Sequence, residues 1–171
     1  MSIVVRSARP DEVEQSRRLR LEMLADSPDS FNERLDDLER WPTSRWASRL
    51  TSSLAPDSTL LVAEVGGVWI GQAAGRLYAH YDPVRAYVLA VYVTPAHRST
   101  GIAAALVRGI ADWATRQGTD RLWLDVHEDA GPARALYRRL GFIATGVTVP
   151  YMHDRSRSQV ELALSLAGHD R

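Results

Sequence analysis

From Thr59 onward the chain runs in short apolar stretches, whereas before it the apolar positions are sparse and spaced for helices. Thr59–Val65 and Val68–Gly75 are two β-prone runs joined by Gly66-Gly67, a pair suited to a two-residue hairpin turn. In Ala86–Val93 a period of two puts Tyr87, Leu89, Val91 and Val93 on one face and Val88, Ala90 and Tyr92 on the other. Apolarity on both faces predicts a central, doubly covered strand. Ile102, Leu106, Ile110 and Trp113 recur at helical spacing and Gly118 offers a stop, so Ile102–Gln117 is expected to be a long helix. Leu122–Val126 reads as the next strand, with Asp125 turned away from Leu124 and Val126. Pro132–Leu140 reads as a short helix ended by Gly141. Phe142–Val149 and Val160–Leu166 make a final hairpin whose loop holds Arg155 and Arg157.

The first third is more polar. Ile3–Val5 is a short strand, and Pro10-Asp11 opens a helix to Ala25 with Val13, Leu19, Leu21, Met23 and Leu24 as a mixed apolar face. Ser27–Ser30 breaks it. Leu35–Leu50 is again helical, anchored by Leu38, Trp41, Trp46 and Leu50 and divided at Pro42. This order predicts one domain over residues 1–171, a mixed α/β or α+β sandwich without repeats or linkers.

Composition narrows the partners. Lys+Arg and Asp+Glu both number 21, so the net charge is zero, which argues against a nucleic-acid partner. Cysteine is absent, which removes thiol nucleophiles, disulfides and thiolate metal sites. His80, His97, His127, His153 and His169 show no metal-ligand spacing, and no metal is expected. The N-terminus has charge too early for a signal peptide, and no run nears the ~20 apolar residues that span a bilayer. A cytoplasmic location without membrane contact is therefore expected.

Chemistry concentrates where the central strand meets the long helix, in Val91-Tyr-Val-Thr-Pro-Ala-His-Arg-Ser-Thr-Gly-Ile-Ala103. The first turn of a helix has N–H groups without intrahelical acceptors, and with the helix dipole these suit a pyrophosphate. Gly101 and the small Ala103–Ala105 would keep the approach open, and Arg98 can add a charged contact. An ordinary strand–helix connection is the plainer alternative; neither a dinucleotide fingerprint nor a P-loop is present.

Arg98-x-x-Gly101-x-Ala103 after Val93-Thr94-Pro95 resembles the acetyl-coenzyme A signature of the GNAT superfamily (Gcn5-related N-acetyltransferases). About thirty residues later, Ala133-Arg-Ala-Leu-Tyr137-Arg-Arg-Leu-Gly-Phe142 resembles the family's Ala-x-x-Leu-Tyr-x-x-x-Gly-Phe element. The resemblance implies a central, mostly antiparallel sheet with helices on both faces. It also implies acetyl-CoA as donor, held by Arg98, Ser99, Thr100, Gly101, Ile102 and Ala103, with Val91, Val93, Ala133 and Tyr137 along the arm. In the family the strands equivalent to Ala86–Val93 and Leu122–Val126 splay to admit the thioester, and a primary amine attacks it directly. Tyr137 is then the general acid, since a phenol with a pKa of about 10 keeps its proton at neutral pH. Its bland alternative is core packing beside Leu136 and Leu140.

Two departures stand out: the family's asparagine seven residues before the tyrosine is Ala130, and the central strand has no glutamate. The general base is left open among His127, Glu128, Asp125 and, farther off, His80 and Glu64. Phe31, Tyr81, Tyr92 and Asp125 are expected at the acceptor, with Glu33, Trp41 and the Tyr151–Arg157 loop nearby. Arg134, Arg138 and Arg139 form either a solvated face or a field for the cofactor phosphates. The acceptor is open between a small-molecule amine and a peptide amine, and homodimerisation through the last strands is open too. The competing class is an acyl-CoA-binding module without turnover. A toxin-type enzyme acting on charged tRNA would need a coherent basic surface, of which the composition gives no sign.

Overall fold

In the computed structural model, which describes residues 2–166, the elements run β1 (Val4–Ser7), α1 (Val13–Asp26), α2 (Leu35–Leu38), α3 (Thr43–Ser53), β2 (Ser58–Val65), β3 (Val68–Tyr78), β4 (Arg85–Val93), α4 (Ile102–Arg116), β5 (Arg121–His127), α5 (Gly131–Arg139), β6 (Ile143–Pro150) and β7 (Ser158–Ser165). His169 lies outside the described residues. Pro42 divides α2 from α3, as its missing N–H requires. Gly66 and Gly67 both take positive φ, 56° and 81°, and close the β2–β3 hairpin. At the start of α1 the Glu12 carboxylate accepts the Arg9 N–H at 2.8 Å, so the helix begins after the charged pair rather than at Pro10. No described helix is long and apolar enough to cross a membrane.

The strands form one sheet in the order β1-β2-β3-β4-β5-β7-β6. Every neighbouring pair is antiparallel except β4–β5, which is parallel. Helix α4 covers one face with Ile102, Leu106, Val107 and Ile110. Leu19 and Met23 of α1 and Leu50 of α3 cover the other, against Val62 and Trp69. Fully burying each such side chain is worth about 1.5–3 kcal/mol, so this two-sided cover holds the sheet rigid behind the site.

Strand β4 corrects the simple two-face reading of its sequence. Ala86, Val88 and Val93 pack under α4, but Tyr92 packs on the opposite face with the α1 and α3 side chains. Strict alternation would have put Val88 and Tyr92 together. The phase changes because β3 advances two residues from Gln72 to Ala74 while β4 advances three from Leu89 to Tyr92. Ala90 takes up the extra residue at φ 51°, making a β-bulge. Buried Gln72 fixes it, its side-chain amide donating to the Ala90 carbonyl at 3.4 Å.

Candidate active site

Strands β4 and β5 pair only at Ala86–Leu122 and Tyr87–Trp123. Beyond those two pairs they part, and a chamber of about 790 Å³ occupies the gap, reaching Val91 on one wall and His127 on the other. Alternation along β5 gives the gap two distinct sides. Leu124 and Val126 belong to the core beneath α4 and α5, so Asp125 and His127 project to the opposite face.

Tyr137 reaches the chamber from α5, with Ala130 and Ala133 beside it. Its ring packs edge-on against Phe142 at 5.6 Å, and the side chain is buried. Burial pushes the phenol up to about 12, because the phenolate would lose its hydration. The group therefore stays protonated through neutral pH. Core packing and a place in the chamber wall coexist in this one side chain.

Asp125 and His127 line the same chamber from the other face. Burial first, and then the negative Glu161 across on β7, raise the Asp125 pKa. The His127 Nδ1 accepts the Asp129 N–H at 3.1 Å. A neutral ring accepting there carries its proton on Nε2, which is buried without a partner among the described residues. The ring also stands edge-on to Tyr151 at 4.9 Å.

Other candidates lie elsewhere. Glu128 accepts the Ser158 N–H at 3.1 Å and ties the end of β5 to the start of β7. Glu64 is paired with Arg6 at 2.5 Å near the β1 edge. His80 stacks on Tyr81, while Tyr81 and Trp123 sandwich the Arg85 guanidinium at 4.3 and 3.9 Å. The Tyr92 hydroxyl donates to Asp26 at 3.2 Å, and its ring meets Phe31 at 6.4 Å. Phe31 itself lines the chamber.

The turn into α4 has the conformation an anion site needs. Ser99 (φ 60°) and Gly101 (φ 85°) are left-handed, and a Cβ at Gly101 would meet nothing within 4 Å. The first helical bond runs from the Ala105 N–H to the Gly101 carbonyl, so the N–H groups of Ile102, Ala103 and Ala104 precede it. The Arg98 side chain turns the other way: its Nε donates to the Val93 carbonyl at 3.0 Å, and its guanidinium pairs with Asp26 at the end of α1. What the turn offers an anion is backbone rather than that charge.

Sequence reasoning missed a charged cluster on the Asp125 face. Arg20 of α1 and Arg49 of α3 both pair with Glu33, the former at 2.6 Å. Burial opposes the charge of Glu33, yet the two guanidiniums hold its pKa below the ordinary value. A signal was present, since Arg20 shares a helical face with Met23 and Leu24, which marks an arginine that will be buried. Above the cluster, the Tyr151 hydroxyl donates to the Asp29 carbonyl at 2.5 Å, and His153 bonds the Phe31 carbonyl at 3.1 Å. The β6–β7 loop thus closes over the segment after α1.

Comparison with known proteins identifies the family and the fold. The profile of the Acetyltransferase (GNAT) family matches residues 20–142. Streptothricin acetyltransferase of Streptomyces lavendulae is 36% identical over 77 residues, 44% of this chain and 41% of that protein. N-alpha-acetyltransferase RimI of Mycobacterium tuberculosis is 32% identical over 111 residues, 65% of this chain and 66% of that protein. The match thus spans less than two thirds of either relative. Among solved structures, yncA of Salmonella typhimurium, a putative acetyltransferase with its cofactor acetyl-CoA, superposes with TM-score 0.77 at 20% identity, covering 100% of this chain and 98% of that one. The paia N-acetyltransferase of Thermoplasma acidophilum, in complex with coenzyme A, gives 0.70 at 19% identity, covering 94% and 98%.

Proposed function

This chain belongs to the GNAT acetyltransferase family, and from that premise we propose that it transfers the acetyl group of acetyl-CoA to a primary amine by direct attack. One observation carries the reading above others: the gap between β4 and β5 joins a protonated phenol on one face to a carboxylate on the other through one chamber. The relatives' names speak of streptothricin as acceptor in one case and of N-alpha acetylation in the other.

In this reading the backbone of Arg98–Ala103 holds the donor's pyrophosphate. The β4 edge around Val91 and Val93 pairs with the pantetheine arm, and Ala133 leaves room beside it. The amine arrives from the Asp125 face as an ammonium and gives a proton to Asp125, while the Nε2–H of His127 orients an intervening water or the amine itself. The nitrogen attacks the thioester carbonyl, the C–N bond forms and the C–S bond breaks. Backbone N–H groups at the Ala90 bulge, lacking a ladder partner toward β5, stabilise the developing oxyanion. A thiol titrates at about 8.5 and this phenol at about 12, so Tyr137 acts first as a hydrogen-bond donor to the departing sulfur. After attack the nitrogen sheds its second proton, sulfur gains one to complete the thiol, and the proton first taken by Asp125 passes to solvent.

The test is calorimetric titration with acetyl-CoA of the wild type, Gly101→Ala and Gly101→Asp. The site at Gly101 is sterically open. Alanine is expected to weaken binding mildly through its positive φ, and aspartate to abolish it through charge. A folded wild type that binds no acetyl-CoA overturns the reading.

A further inference from the structure

The acceptor half of the chamber has a charge pattern of its own. Two guanidiniums, Arg20 and Arg49, share the single carboxylate of Glu33. Arg20 occupies one oxygen of Glu33 with both Nε and a terminal nitrogen, at 2.8 and 2.6 Å, and Arg49 takes the other oxygen. Arg20 is itself 8% exposed, and one of its terminal nitrogens is buried without a partner among the described residues. A third arginine, Arg76, lines the same space and takes part in no ion pair among the described residues. Among the described residues, the only other carboxylate lining the chamber is Asp125, on the facing strand β5. The cluster of Arg20, Glu33 and Arg49 therefore carries one net positive charge, with its single acid saturated.

We propose that the acceptor is an amine that also bears a carboxylate, its ammonium end directed to Asp125 and its carboxylate to Arg49 and Arg76. Arg20 stands behind Glu33 and sets its position. A second cationic group on the acceptor would meet the arginine wall with no free acid to receive it. A carboxylate meets planar donors suited to it, and gains more there than in water because the wall is partly desolvated. Around the cluster, Ser30, Asn32 and Ser52 add neutral hydrogen-bonding groups that fit the same oxygens. The inference rests on the acetyltransferase reading for the direction of the amine, but the carboxylate site can be read without turnover.

Calorimetry on protein saturated with coenzyme A makes that separation, using pairs that differ by one carboxylate. L-leucine is set against 3-methylbutylamine, L-phenylalanine against 2-phenylethylamine, and 6-aminohexanoate against pentylamine, with cadaverine as the dication. At least one carboxylate member is expected to bind at least ten-fold tighter than its amine. Arg49→Gln is expected to remove that difference by weakening the carboxylate member, with acetyl-CoA affinity unchanged. Arg76→Gln, which leaves the Glu33 pairs in place, is the second variant and should narrow the difference without altering amine affinity. Equal affinity within each pair, no binding by any carboxylate member, or tighter binding of cadaverine overturns the proposal. Acetylation rates on the same panel divide the two readings. A carboxylate preference in binding without acetyl transfer upholds the anion site and sinks the enzymatic reading; transfer without preference does the reverse.

Discussion

Asp125 and Tyr137 are both shifted upward by burial, and the two shifts serve different ends. In the proposed mechanism the phenol is thereby kept as a donor, and the carboxyl is made a better proton acceptor than an exposed aspartate. For a base that must be ionised, activity falls as pH drops through its pKa, so kcat/KM should show an acid limb above the ordinary aspartate value of 3.8. Asp125→Asn should remove that limb and lower kcat/KM across the range, as read from pH–rate profiles. Tyr137→Phe should lower kcat by about 10²-fold or more, the usual worth of positioned proton donation, with acetyl-CoA affinity measured by calorimetry unchanged. Tyr137 was legible because its neighbours form a recognisable string. Glu33 was expected near the acceptor, but its pairing with Arg20 and Arg49 was not, since the three come from separate segments and meet only through tertiary packing.

Strand β4 shows where pattern reading stops at the level of elements. Its length and double-sided apolarity were plain from Ala86–Val93, but the bulge at Ala90 was invisible. No glycine or proline marks it, and alanine rarely takes φ 51°. What imposes the bulge is the register with β3 and the buried Gln72, neither of which is local to β4. The long helix α4 and the Gly66-Gly67 hairpin, by contrast, rest on short-range signals and were readable. Packing between α4 and the sheet is tight enough to test. A Cβ at Gly75 of β3 would lie 2.8 Å from the Trp113 ring, so Gly75→Ala should cost about 1–3 kcal/mol in urea unfolding. A full-strength variant would mean that Trp113 can move.

At the scale of the molecule, the β1 edge is tied to the rest by charge. Arg6 bonds both Glu12 and Glu64, joining β1, the start of α1 and β2. The Arg6 guanidinium, against the cost of burial and with help from the Arg9 N–H, holds the Glu12 pKa at about 2 rather than 4.5. A depressed carboxylate adds stability above its unfolded value and loses it as pH falls toward the folded one. The urea midpoint should therefore drop between pH 4.5 and about 2, and Glu12→Gln should flatten that part of the curve. Element order and sheet class were within reach of the sequence at this scale. The way β4 and β5 part was implied only by family resemblance.

That parting has a mechanical side. Four strands on one flank and three on the other are joined by two rungs, so backbone pairing is thinnest at that seam. A donor arm lying along β4 would act as a splint across it. In the free protein the amides of Leu89–Val91 should exchange with deuterium through small local openings, and acetyl-CoA should slow them far more than it slows β2. The melting temperature should then climb with donor concentration. On the proposed donor pose, the stiffness of this protein would be a quantity set by the supply of its own reactant.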